Sequence, residues 1–160
     1  MMDNSQYPID RKLKLYNRLE ELHLLNAGLE QVGAAAGWSE RAVLDLSLAC
    51  EELVVNTVNY GFPEGGEHVI EVQIQASRSG VEIVIEDRGV PFDPLRSGAD
   101  PLAQLDMDLE DRPIGGLGIY FVKRLMDEIQ YERIGNMNRI HMRKQLAIEE
   151  ANREPGGSEE

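Results

Sequence analysis

Between Ser39 and Gly61 lies the stretch that most limits how this chain can fold. Ser39 followed by Glu40 and an apolar run through Val58 reads as an N-cap opening a helix, which Gly61 and Pro63 end. At about 100° per residue, Asp45, Glu52, Asn56 and Asn59 fall within one stripe roughly 60° wide. Leu44, Leu48 and Val55 border it on one side, Ala49 and Tyr60 on the other, and Leu46, Cys50, Leu53, Val54 and Val58 cover the opposite face. A helix this apolar has to be packed against other layers. Polar groups buried there without partners cost roughly a few kcal/mol each.

The stripe can therefore be paired with neighbouring structure, or a ligand or metal can complete it. Glu52 and Asn56 stand four residues apart and point at one locus. There a carboxylate can accept a proton or position water, and an amide oxygen suits a hard cation such as Mg²⁺.

The rest of the chain supplies the layers. Arg11 to Tyr16 alternates basic and apolar residues, the period of a strand with one face on a core, and residues 1–10 are expected to form a flexible N-terminus. Arg18 to Ala36 repeats leucine at helical spacing, with a stop in the Gly33 and Gly37 neighbourhood, and Trp38 is expected to cover the turn between the two helices. Val69 to Ala76 and Val81 to Asp87 read as paired strands across the Ser77 to Gly80 turn. From Arg88 to Gly116 no periodicity persists, and Pro91, Pro94, Pro101 and Pro113 interrupt it; we treat 88–116 as a lid. Leu117 to Met126 is helical, and a hairpin turning at Gly135 to Asn138 closes a domain spanning 11–148. Residues 149–160 form an acidic tail expected to be disordered. The order strand, helix, helix, hairpin, lid, helix, hairpin predicts an α+β two-layer sandwich, a mixed and mostly antiparallel sheet with helices on one face.

Composition narrows the function. The 160 residues carry 16 basic and 29 acidic side chains, a net charge of −13, which argues against nucleic acid or an anionic membrane as partner. No apolar run approaches the roughly 20 residues that span a bilayer, and no secretory leader is legible, so a cytoplasmic location is expected. Cys50 alone forms no internal disulfide, and His23, His68 and His141 have no ligand spacing, so a structural zinc site is not expected.

Two more segments ask for a chemical explanation. Asp87, in Ile85-Glu86-Asp87-Arg88-Gly89, shares the parity of Val81, Ile83 and Ile85 and so faces the core, where it needs a donor. A purine exocyclic amine would serve, with Gly89 letting the backbone approach a flat base; an Asp-containing turn is the plainer alternative. Gly115-Gly116-Leu117-Gly118 enters an apolar helix, where free N–H groups can bind an anion or simply form a flexible joint.

Taken in order, a polar-striped helix, a strand ending Asp-x-Gly, a lid and a Gly-x-Gly helix start resemble the GHKL ATPase superfamily. Glu52 and Asn56 look like its N box, Asp87-Arg88-Gly89 like its first glycine box, and Gly116-Leu117-Gly118 like its second. Within the superfamily the chain is most similar to the RsbW/SpoIIAB-type anti-sigma serine kinases, from about Arg11 to Leu146. Gyrase, Hsp90 and MutL relatives would need further domains, and a sensor histidine kinase would need a dimerisation helix with its histidine.

The resemblance implies ATP between helices and sheet, Mg²⁺ on Asn56, Glu52 as general base and Asp87 on the adenine amine. Asn59, Gly89, Arg112, Gly116, Leu117 and Gly118 complete the implied nucleotide site. It further implies phosphorylation of a serine on a STAS-type anti-anti-sigma antagonist, alternate binding of a sigma factor, and the homodimers common among such kinases. Two features depart from the pattern. Asp100, Asp106, Asp108, Glu110 and Asp111 line the lid, with Arg112 the obvious phosphate partner, and Asn59-Tyr60-Gly61 stands where many relatives have a histidine before the glycine. The acidic lid motivates a second reading, a nucleotide-gated adaptor with little or no kinase activity. A third is an interaction domain that has lost its nucleotide.

Overall fold

The computed structural model of the chain describes residues 7–97 and 116–146. In chain order its elements are β1 (Ile9–Tyr16), α1 (Leu22–Ala36), α2 (Glu40–Tyr60), β2 (Val69–Ala76), β3 (Gly80–Asp87), α3 (Gly116–Leu125), β4 (Glu128–Ile134) and β5 (Met137–Gln145). Short 3-10 turns occupy Leu19–Glu21 and Pro94–Ser97. The strands form one sheet in the order β1-β2-β3-β5-β4, and every neighbouring pair is antiparallel. The architecture is the expected α+β sandwich, and among the described residues no strand pair is parallel.

Period two decides which side of the sheet is covered. Ile70, Val72, Ile74 and Ala76 of β2 and Val81, Ile83 and Ile85 of β3 are buried in one core with Leu25, Leu29 and Val32 of α1 and Leu46, Cys50, Leu53 and Val54 of α2. Each large aliphatic side chain removed from water contributes about 1.5–3 kcal/mol before conformational entropy is subtracted. The opposite face is charged: Lys14 opposes Glu71 and Arg139 opposes both Glu86 and Glu132, so the like-charged neighbours Glu71 and Glu86 each have a basic residue on their other side. Cross-strand pairs of this kind suit a face left in water.

Two boundaries differ from the sequence reading. β1 begins at Ile9, inside the stretch assigned to a flexible N-terminus, because Ile9 keeps the inward parity of Leu13 and Leu15 and pairs with Ala76. α1 begins at Leu22, after the Leu19–Glu21 turn, and not at Arg18; it ends at Ala36 as expected, where Gly37 with φ 77° provides the left-handed cap. Gly33 is a packing position: a Cβ there would lie 2.8 Å from Val43 Cγ2 and 3.0 Å from Trp38 Cε3. Trp38 sits buried over that joint, as expected. Ser39 caps α2 by accepting from the Ala42 N–H at 3.1 Å. The tail 149–160 and most of the lid, 98–115, lie outside the described residues.

Candidate nucleotide site

α2 and the segment after β3 are clasped together. The N–H of Val90 donates to the carbonyl of Gly61 at 2.9 Å, where α2 ends. Gly89 makes that approach feasible, since a Cβ on it would fall 2.3 Å from the Gly61 oxygen. The sequence reading gave Gly89 to a flat base; in the structure its open side is occupied by the end of α2. Tyr60 and Phe92 add a second clasp, their ring centroids 5.5 Å apart.

Asp87 is buried at 7% exposure, as its parity required. It is not waiting for a first donor: its Oδ1 accepts from the Gly89 N–H at 2.8 Å and from Asn138 Nδ2 at 2.9 Å. Among the described residues both bonds fall on Oδ1, which leaves Oδ2 as the acceptor available to a ligand. Asn138, 4% exposed, is the hub of this end. Its Nδ2 also donates to the Val90 carbonyl at 2.9 Å, and its Oδ1 accepts from Tyr131 Oη at 2.6 Å and Arg133 Nη1 at 3.2 Å. Arg133 Nη1 reaches the Gly89 carbonyl at 2.8 Å as well. The chain reading placed Asn138 in a turn and missed this role. The turn is the two residues Gly135 and Asn136, and Asn138 already shares the inward parity of Ile140 and Met142.

Along α2, Asn56 is buried at 7% exposure and Glu52 is half-buried, while Asn59 is exposed near the helix end. Burial raises the Glu52 carboxyl above its ordinary pKa of 4.5, and a hydrogen bond from Asn56 opposes the rise. Gly118, in the first turn of α3, lies directly on that carboxylate: a Cβ there would stand 2.1 Å from Glu52 Cδ. A negative group at a helix start is electrostatically favourable. Gly116 and Leu117 open the same helix, and Arg112 lies outside the described residues. Cys50 is fully buried and its thiol is pushed up to about 12, which removes it as a nucleophile.

Glu52, Asn56 and Gly118 thus meet along the C-terminal half of α2, and Asp87, Gly89 and Asn138 are tied to the C-terminus of the same helix through Gly61, so the two groups form the two ends of one site. The donor set fits a nucleotide with a hard cation: an open carboxylate oxygen for an amine, an amide oxygen and a carboxylate for a cation, and a glycine-opened helix start. No helix among the described residues is long and apolar enough to cross a membrane.

Residues 15–144 match the family of histidine kinase-like ATPase domains. A serine/threonine-protein kinase of Bordetella bronchiseptica, BtrW, is 28% identical over 121 residues, covering 76% of this chain and 83% of that protein. The serine-protein kinase RsbW of Listeria monocytogenes is 31% identical over 122 residues, 74% of this chain and 76% of that protein. An anti-sigma F factor of Clostridium novyi is 27% identical over 105 residues, 65% and 71% of the two chains. A crystal structure of the RsbU and RsbW domains of Rv1364c from Mycobacterium tuberculosis superposes with a TM-score of 0.59 at 16% identity, over 86% of this chain and 32% of that one; it shares the fold. The chain belongs to the histidine kinase-like ATPase domain family. By its kinship with RsbW and BtrW, its enzyme class is an ATP-using serine/threonine kinase.

Proposed function

We infer that the chain phosphorylates a serine on a STAS-type anti-anti-sigma antagonist and alternately binds a sigma factor. The observation that supports this most is the convergence of Glu52, Asn56 and Gly118 on the C-terminal half of α2, with the Asp87 segment clasped to that helix's C-terminus at Gly61. A ligand bridging the two ends carries a base at one and a phosphate chain at the other. ATP supplies the phosphoryl group there. Asp87 Oδ2 accepts from the adenine amine, and the Asn56 amide oxygen holds Mg²⁺. When bound, Mg²⁺ would be held by Asn56 together with the nucleotide and would neutralise charge developing on the transferred phosphoryl group. Glu52 would take the serine hydroxyl proton as Oγ attacks the γ-phosphorus, the bond from that phosphorus to the β–γ bridging oxygen breaks and ADP leaves, and positioning does the rest. Arg112, Asn59 and the Gly116-Leu117-Gly118 backbone belong to the phosphate side of this reading.

The test is transfer of radiolabelled γ-phosphate from ATP to a STAS-type protein, with and without Mg²⁺. Serine labelling in the wild type, lost in Glu52→Gln while ATP binding persists, is the expected result. Tight nucleotide binding with a nucleotide-dependent complex and no labelled serine would instead establish the adaptor reading that the acidic lid motivates.

A further inference from the structure

The outer faces of α1 and α2 leave a groove of about 570 Å³ that the kinase reading does not use. Its floor is apolar: Ala34, Trp38 and Val43 line it, and Leu44 and Leu48 stand over it at 52% and 51% exposure. Leu44 and Leu48 lie one turn apart, the spacing with which a helix face engages another helix. Its rim is acidic, with Glu30 from α1 and Glu40 and Glu51 from α2. The one Lys or Arg on either helix, Arg41, turns to Asp45 at 3.0 Å. Asn26 lines the groove too, and its Oδ1 is buried without a hydrogen-bond donor while its Nδ2 is spent on Glu51.

We propose that this groove docks a basic amphipathic helix of a partner protein, leucine-type side chains down and lysines or arginines toward Glu30, Glu40 and Glu51. Charge excludes the nearer candidates. The chain is at −13, so a second copy would bring the same acidic rim against itself. Its own segments outside the described residues have the wrong sign: 98–115 holds Asp100, Asp106, Asp108, Glu110 and Asp111 against Arg112, and 147–160 holds five glutamates, including Glu149 and Glu150, against Arg153. A helix in a two-helix groove is a recurrent recognition mode whose affinity comes from apolar anchors and whose choice of partner comes from charge. This proposal stands independently of the kinase reading, because none of these residues belongs to the nucleotide site.

The experiment titrates the full chain with a synthetic peptide bearing leucines at i, i+3, i+4 and i+7 flanked by lysines, and with the same peptide carrying glutamates instead. Amide NMR shifts and fluorescence anisotropy are read together. The lysine peptide should bind and shift Gly33, Ala34, Leu44 and Leu48, with the glutamate peptide at least about tenfold weaker. Leu44→Glu with Leu48→Glu should lose at least about tenfold in lysine-peptide affinity, and Glu30→Lys with Glu40→Lys should reverse the peptide preference. All the substituted positions are exposed, and an unchanged far-UV circular dichroism spectrum and urea midpoint verify the fold of each variant. Equal binding of the two peptides, shifts confined to other surfaces, or undiminished binding by the leucine variant would overturn the proposal. So would a peptide-free dimer in sedimentation that Leu48→Glu dissolves, which would assign the groove to a second copy.

Discussion

Around Asp87 the polar side chains hold one another. Asn138 alone serves Asp87, the Val90 carbonyl, Tyr131 and Arg133, and Arg133 ties back to Gly89. Around Glu52 the contacts among the described residues are few: one amide, Asn56, bonds to it, the first turn of α3 presses on it through Gly118, and burial disfavours its charge. One end is fixed before any ligand arrives, and the other keeps a carboxylate in tension between desolvation and a single donor. A recognition contact benefits from the first arrangement and a group that must take up a proton from the second, since general-base action improves as the carboxyl rises toward the working pH. The contrast makes distinct predictions for the two ends.

The largest effect belongs to the sparse end. Glu52→Gln keeps the shape and removes the base, and should lower phosphotransfer on the order of 10²–10⁴-fold with ATP affinity little changed, measured by single-turnover labelling and calorimetry. Gly118→Ala asks whether the contact itself counts. Its Cβ would meet the Glu52 carboxyl group 2.1 Å away, so the carboxylate or α3 must move. A displacement of this size costs on the order of a hundred-fold in rate. Wild-type rates in that variant would show that the carboxylate has room to reposition and that the two ends are more alike than the structure implies.

The knit end should answer in affinity and stability. Asn138→Ala leaves the Val90 carbonyl and Tyr131 Oη unpaired and strips one donor from Asp87, which should cost about 2–3 kcal/mol in urea unfolding as well as ATP affinity. Asp87→Asn separates those two outcomes. Its amide oxygen can still accept from Gly89 and Asn138, so the fold should hold, while the position of Oδ2 turns from acceptor to donor. ATP should bind more weakly by about 1.5–3 kcal/mol. Loss of folding in Asp87→Asn with unchanged affinity in the survivors would make Asp87 part of the scaffold and remove it from the binding contact.

How much of this the sequence displayed follows from what each pattern encodes. Strand parity carried Asp87 to the core side and predicted the β2 and β3 faces correctly, because a period of two leaves no freedom once one apolar row is fixed. The helical stripe placed Glu52 beside Asn56 for the same reason. What parity does not encode is which polar groups meet across distant strands. Asp87 and Asn138 become neighbours through the pairing of β3 with β5, a contact 51 residues apart that no local window contains. Gly89 and Gly118 were legible as glycines of interest, yet their purpose here is close approach to Gly61 and to Glu52, and close approach is a property of packed elements.

The smallest effect is the titration of Glu52. Its folded pKa is raised, so the protonated form is the better accommodated one in the native state. Stability from this group is therefore complete below the unfolded pKa of about 4.3 and is lost as pH rises through the higher folded value. Glu52→Gln should consequently unfold at higher urea than wild type at neutral pH, with the gap closing as pH falls below the usual carboxylate range. Solvent screening of a half-exposed group limits the gap to less than about 1 kcal/mol. Catalysis must run the other way: the base works only ionised, so phosphotransfer should fall on acidification at a pH above that of an ordinary glutamate. A group that lowers stability in the protonation state its chemistry requires is what the sparse end of the site should contain, and its absence from both pH profiles would leave Glu52 as a structural carboxylate.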